Sequence, residues 1–264
     1  MPPDPAITAW RPRIPGVSEV FHAHFRRHQY PLHTHTVWTL MILDDGVLQY
    51  DLDRHEHGPL RSNVILLPPH VPHNGRTVAP QGFRKRVLYL PENALDPRLI
   101  GPVTDQPNLT DSVLRQRIGR LHDVLARPGD DLEAESRLAL IVERLGTHLR
   151  PTPVVAPRRG VADDLRDLLD AHLTTGLPLD EAARILHSEP TQLIRAFTRR
   201  FSLPPHRYLT GRRVELARKL LLDGCPAATV ATEVGFYDQS HLTRHFKHML
   251  GVSPARFAVT PVRG

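Results

Sequence analysis

Histidine is the residue whose supply and spacing first suggest chemistry in this chain. There are 17 among 264 residues, and nine of them, from His22 to His73, fall in the first 73 positions. His33 and His35 are two residues apart in LHTHT, so on one strand both imidazoles project from the same face. If the segment PPHVPHN (68–74) runs alongside, His73 completes a three-imidazole facet, a donor set that suits Zn, Ni, Fe or Cu. The alternative is a pocket whose histidines hydrogen-bond one another, or a ligand, without a metal. Trp38 and Tyr50 are the aromatics expected at the mouth of such a pocket, or else in plain core. His22, His24, His55 and His57 read as surface residues beside strands and turns.

A second set of chemistry-bearing residues lies in a duplicated segment. LIRAFTRRFSLPPHRY (193–208) repeats as LTRHFKHMLGVSPARF (242–257), which pairs Leu193 with Leu242, Arg195 with Arg244, Phe197 with Phe246 and Pro205 with Pro254. Apolar residues at i, i+4 and i+8 give each copy one buried helical face and leave the basic residues outside it. A short small-residue helix precedes each copy, DEAARIL (180–186) and ATVATEV (228–234), so each unit reads as a helix-turn-helix with a basic second helix. Arg195 and Arg244 occupy equivalent positions, and an arginine can hydrogen-bond guanine O6 and N7 together. They are predicted base readers, with Thr191, Gln192, Gln239, Ser240, His241 and Thr243 adding contacts and Arg199 and Lys247 holding phosphates.

These residues need elements to position them. VFHAHF, WTLMIL, VLQYDL, NVILLP and RVLYL are short alternating runs separated by turn signals, which predicts a β sandwich or small barrel up to about residue 90. Segments 112–129 and 131–149 carry apolar stripes (Leu114, Ile118, Leu121, Leu125; Leu138, Ile141, Leu145, Leu149) and predict an antiparallel helical pair. That stripe could pack on the sheets or pair with a second subunit. A longer helix over 206–224 joins the two repeats.

The formal net charge is +6. Residues 177–264 hold 13 Lys/Arg and 7 Asp/Glu, a surplus of six, whereas the remainder holds 21 of each. All the excess positive charge therefore sits on the repeats, as expected of a part that neutralises phosphates. The single cysteine, Cys225, excludes an intramolecular disulfide and fits a reducing compartment. No signal peptide, membrane-length apolar run, Ser/His/Asp motif, phosphate loop or zinc-protease signature is present, so a cytoplasmic, nucleoid-associated protein that is not an enzyme is expected.

The segments RRVELARKLLLDG and VGFYDQSHLTRHFKHMLGVSPARF resemble the DNA-binding domain of AraC/XylS-type bacterial transcriptional regulators. LHTHTVWTLMILDDG and GPLRSNVILLPPHVPHN resemble the two motifs of a cupin, as in the sensing domain of those regulators. The resemblance implies an α+β chain. An N-terminal cupin-like β-barrel (1–105) would carry a helical pair for dimerisation (106–150), followed by a linker (151–160). An all-α domain of two helix-turn-helix units joined by a central helix (161–264) would complete it. The implied partners are a double-stranded DNA operator, a small-molecule effector in a pocket of His33, His35, Trp38, Tyr50 and His73, a second copy as homodimer, and RNA polymerase if transcription is activated. No cofactor is required by this reading. The cupin metal set would fall on His33, His35 and His73, with Zn, Ni or Fe as the occupant of a metal-responsive regulator. The cupin carboxylate ligand is missing, Thr39 and Leu40 standing in its place, which counts against a cupin-type metal enzyme. The first unit also departs from the family at Glu189 and Ser202, where a serine cap and a glycine are usual.

Overall fold

In the computed structural model the described residues are 5–60, 64–127, 129–151 and 159–258; most of the expected linker lies outside them. The chain opens with β strands: β1 (Ala6–Trp10), β2 (Glu19–Phe25), β3 (Gln29–His33), β4 (Trp38–Gly46), β5 (Leu48–Leu52), β6 (His55–Leu60), β7 (Val64–Leu67), β8 (His73–Thr77) and β9 (Phe83–Leu90). A short helix α1 (Ile100–Asp105), strand β10 (Asn108–Leu109) and the helices α2 (Ser112–Leu125) and α3 (Asp131–His148) follow.

The strands do not close into a barrel. They form one six-stranded sheet, in the order β1-β2-β9-β4-β7-β10, and one four-stranded sheet, β3-β8-β5-β6, with no ladder joining the two among the described residues. Closure would require each edge strand to find a partner. Here side chains of the C-terminal half instead join the core on the inner faces of both sheets, which corrects the cupin-like barrel expected above. Alternation decides which residue faces that gap. Phe21, Ala23 and Phe25 of β2, Met41 and Leu43 of β4, and Phe83, Val87 and Tyr89 of β9 face the smaller sheet. The intervening Val20, Trp38, Leu40, Ile42, Leu88 and Leu90 face the other way.

That outer face is covered by α2 and α3. Leu114, Ile118, Leu121, Leu125, Ile141 and Leu145 are buried in one core with Trp38, Leu40 and Leu88. The predicted stripe is therefore consumed within the chain. Asp111 at the head of α2 binds Arg144 (2.7 Å) and His148 (2.6 Å) at the tail of α3, so the pair runs antiparallel.

The C-terminal half consists of α4 (Val161–Ala171), α5 (Leu179–Ile185), α6 (Pro190–Phe201), α7 (Pro205–Leu222), α8 (Ala227–Glu233), α9 (Gln239–Leu250) and α10 (Pro254–Ala258). α5–α6 and α8–α9 are the two helix-turn-helix units, and α7 joins them. Ala182 and Ala183 are buried in the first unit and Val230 and Ala231 in the second, where side chains of small volume let the paired helices approach.

Candidate functional site

The surface expected to face DNA is the simpler of two candidate sites. Leu193, Phe197 and Phe201 anchor α6, and Leu242, Phe246 and Leu250 anchor α9, so the opposite faces are turned to solvent. Thr191, Gln192, Arg195 and Arg199 on α6 and Gln239, Ser240, Arg244 and Lys247 on α9 are exposed, and His241 and Thr243 are half-buried. None of the four basic side chains forms a salt bridge among the described residues, which leaves their charge free to meet phosphate or base edges. His241 and His245 pack against Phe236, with ring centres 5.2 and 5.7 Å from it.

The second site is a cavity of about 50 Å³ between the two sheets, closed on one side by α7 and the end of α9. His33, at the end of β3, pairs in register with His73, at the start of β8. His35 lies beyond β3 rather than on it. The three rings nevertheless converge, with centres 4.4, 4.8 and 5.1 Å apart and one nitrogen from each within 4.8 Å of the others. His33 Nδ1 donates to the Pro31 carbonyl (2.7 Å) and His73 Nδ1 to that of Val71 (3.0 Å). A neutral imidazole that donates through Nδ1 keeps an acceptor lone pair on Nε2. Burial, then the neighbouring rings, holds His33 and His35 well below the usual histidine range. Burial lowers His73 to about 4. All three are therefore neutral, and the cluster could coordinate a metal ion. Thr39 lines the same cavity, whereas Leu40 is on the far side of the sheet, so neither supplies the missing carboxylate.

Tyr50 lines the cavity, its hydroxyl donating to Asn108 (2.7 Å). Trp38 does not. It is fully buried on the outer face of β4, its indole N–H donating to the Glu92 carbonyl (3.0 Å), one residue out of phase with Thr39. His22 is likewise no surface residue, since its Nε2 is 3.0 Å from His122 Nδ1 and its ring packs on Trp10.

Sequence reasoning missed the charged lining. Lys85 of β9 is buried beside the Tyr30 ring, with Nζ 4.2 Å from its centre. Burial, then the nearby Arg218, lowers it to about 7. Strict alternation from Phe83 to Val87 was the signal that placed Lys85 inward. Arg218 and Glu215 of α7 are also buried. Arg218 pairs with Glu19 of β2 and stacks on Tyr89 (4.7 Å), and Glu19 and Tyr89 outweigh the effect of burial to hold its guanidinium above its ordinary value. Glu215 accepts from the Thr36 amide (3.1 Å) and hydroxyl (2.8 Å) and from Arg212. These contacts tie the helix between the two recognition helices to the cavity wall.

Two helix-turn-helix units on a shared helix, packed against a two-sheet half with an internal cavity, define a DNA-binding regulator with a ligand-binding N-terminal part. Residues 15–142 match the AraC-like ligand binding domain and residues 182–259 the Helix-turn-helix domain. The chain belongs to the AraC/XylS family of bacterial transcriptional regulators. It is a sequence-specific DNA-binding protein with an N-terminal effector-sensing domain, and its family is non-catalytic. It is similar to the uncharacterized HTH-type transcriptional regulator YbfI of Bacillus subtilis, 22% identical over 229 residues that cover 81% of this chain and 82% of that one. It also resembles the transcriptional activator RhrA of Rhizobium meliloti, 25% identical over 74% of this chain and 65% of the relative. Its fold is like that of ToxT from Vibrio cholerae. The apo K231A form superposes with a TM-score of 0.63 at 11% identity, covering 98% of both chains. A fatty-acid-bound form gives 0.57 at 10% identity, again over 98% of each. No helix among the described residues is long and apolar enough to cross a membrane.

Proposed function

We propose that the cavity between the sheets and α7 is the effector site, and that its occupant sets the arrangement of the two recognition helices on an operator. The observation that carries this reading is the position of α7, which lines the cavity through Gly211, Val214, Glu215 and Arg218 and joins both units. An effector regulates only through differential affinity for two arrangements, and a helix shared by cavity and DNA-binding units is where such a difference is felt. The fatty acid in a ToxT structure supports an organic effector in this fold.

On DNA, Arg195 and Arg244 read bases in successive major-groove segments about 34 Å apart. Thr191, Gln192, Gln239, Ser240, His241 and Thr243 assist, while Arg199 and Lys247 hold phosphates. The protein acts in the cytoplasm as a homodimer, and the outer sides of α2 and α3, where Val113, Leu132 and Leu140 are exposed, support a contact between copies. If it activates transcription, RNA polymerase is the further partner. Operator selection from a random duplex library, followed by binding titrations, tests this reading. Arg244→Ala is expected to cost about 1–3 kcal/mol on the selected site and relax preference at one base. A uniform loss across sequences with a shallower salt slope would make Arg244 a phosphate anchor.

A second reading has its own observation: two of the three clustered imidazoles are fixed by backbone carbonyls with Nε2 free, as metal-bound histidines are. In that case Zn, Ni or Fe on His33, His35 and His73 is the signal. Elemental analysis of untagged protein purified without a nickel column decides it. Stoichiometric metal that is lost in His33→Ala/His35→Ala supports the metal reading, and metal-free protein that binds its operator rejects it.

A further inference from the structure

The cavity has a chemical polarity that narrows what it can hold. One part of the lining consists of donors with no acceptor among the described residues. Lys85, Tyr30 and Thr39 are each at least nine-tenths buried and line the cavity. The Tyr30 hydroxyl, Thr39 Oγ1 and Arg218 Nε form no hydrogen bond among the described residues. Burial, then the nearby Tyr89, pushes the Tyr30 phenol well up, so it stays protonated and can donate. Both neighbouring carboxylates are already engaged, Glu215 by Thr36 and Arg212 and Glu19 by Arg218. The Lys85 charge therefore has no counter-ion among the described residues, an expensive state for a desolvated cation. Beside them, with the Tyr30 and His33 ring centres 6.2 Å apart, the Nε2 atoms of His33 and His73 are acceptors, because each ring donates through Nδ1 to a carbonyl.

A ligand that completes this site carries negative charge at one end and a hydrogen-bond donor at the other. A neutral polyol would leave Lys85 uncompensated, and an amine would meet Lys85 and Arg218 with like charge. The cavity, of about 50 Å³, has room for several water-sized groups, which suits a small molecule. We infer that the effector is a small hydroxycarboxylate, its carboxylate bound by Lys85, Tyr30 and Thr39 and its hydroxyl donated to His33 or His73. This rests on the reading of the cavity as the effector site.

The test uses the full chain, thermal unfolding and titration calorimetry, with glycolate and lactate as probes and acetate, ethylene glycol and ethanolamine as controls. Glycolate or lactate is expected to bind and raise the unfolding midpoint, with acetate weaker and ethylene glycol and ethanolamine inert. Lys85→Met should weaken the hydroxycarboxylate roughly tenfold or more, the cost of a charged hydrogen bond left unmade, while raising the midpoint of ligand-free protein. Tyr30→Phe, which keeps the ring, should weaken it several-fold, so the proposal stands or falls even if Lys85→Met folds poorly. Binding unchanged in both variants, equal binding of ethylene glycol, or no binding by either hydroxycarboxylate overturns the inference. Binding that EDTA abolishes and zinc restores puts a metal, not a hydroxyl, on the histidines and overturns it as well. The two readings fail separately. Glycolate that binds through Lys85 yet leaves operator affinity unchanged sinks the effector site but not the ligand class. A different molecule that alters operator affinity without needing Lys85 sinks the ligand class alone.

Discussion

The two helix-turn-helix units are copies of one motif held in different ways. The first has a core of its own, in which Leu193, Phe197 and Phe201 pack with Leu165 and Leu169 of α4, Ala182, Ala183 and Tyr208. The core of the second, Val230, Val234, Leu242, Phe246, Leu250 and Phe257, is continuous with the inner faces of both sheets. Gly251 marks the junction, because a Cβ there would lie 2.9 Å from the Phe25 ring and its φ is +78°. Among the described residues, the polar ties of the first unit to the N-terminal half are lighter. Arg54, on the β5–β6 turn, donates to the Arg199 carbonyl (2.6 Å) and to Ser202 Oγ (3.0 Å) at the end of α6. A repeated motif thus need not respond equally to a signal, since coupling follows the shared core rather than the sequence similarity.

The largest expected effect comes from the pair that locks α7 to β2. Arg218→Met leaves Glu19 buried without its partner and should cost about 3–5 kcal/mol, whereas Glu19→Leu/Arg218→Met should recover most of the loss. Denaturant unfolding of Arg218→Met, Glu19→Leu and the double variant measures this. Simple additivity of the two single changes would mean that the pair does not act as a unit.

Acid should separate the two regions. Burial lowers His73 to about 4 and pulls His33, His35 and His122 down as well, all within the N-terminal half. A group with a depressed folded pKa binds more protons when unfolded. The stability due to neutral His73 is thus present above about pH 6.5 and lost as pH falls through 4, about 3 kcal/mol in all. Lys85 acts in the same direction higher up, between its ordinary 10.5 and about 7. The core of the first unit contains no histidine. Hydrogen exchange near pH 4.5 should therefore find amides of α4–α6 protected after those of β2, β9 and α9 have opened. Simultaneous loss throughout would rule out the difference in coupling.

Much of this was legible because its signals are local. The 49-residue repeat and its i, i+4, i+8 apolar spacing located α6 and α9, and the alternation in WTLMIL and VLQYDL located β4 and β5. The histidine trio was readable as two short motifs, although the strand expected to carry both His33 and His35 stops at His33. A closed barrel was expected and the open pair of sheets was not legible, because the side chains that join their inner core come from α7 and α9, more than 100 residues downstream of β9. Glu215 and Arg218 resemble ordinary surface charges on a helix, and only Glu19, Thr36 and Tyr89 make them interior. Trp38 was open between the mouth of the cavity and plain core, and it lies in the core, since one step along a strand reverses the face.

The smallest effects test the comparison at the helix ends. Asp238 caps α9, accepting from the His241 amide at 2.7 Å, whereas Glu189 at the equivalent position of α6 makes no side-chain cap. α9 ends at Gly251, while α6 ends at Ser202 with φ +57°, a left-handed conformation that glycine adopts without strain. Glu189→Ser should therefore stabilise the first unit, and Asp238→Ala destabilise the second, each by about 1 kcal/mol. Ser202→Gly should gain about as much from the backbone and lose only the exposed contact with Arg54. If the units are coupled as their cores imply, Asp238→Ala lowers the unfolding midpoint of the N-terminal half together with that of its own unit. Glu189→Ser instead raises protection in α5 and α6 alone. Amide exchange resolved by segment reads both, and an equal spread of the two effects through the chain would make the separate core of the first unit irrelevant to its stability.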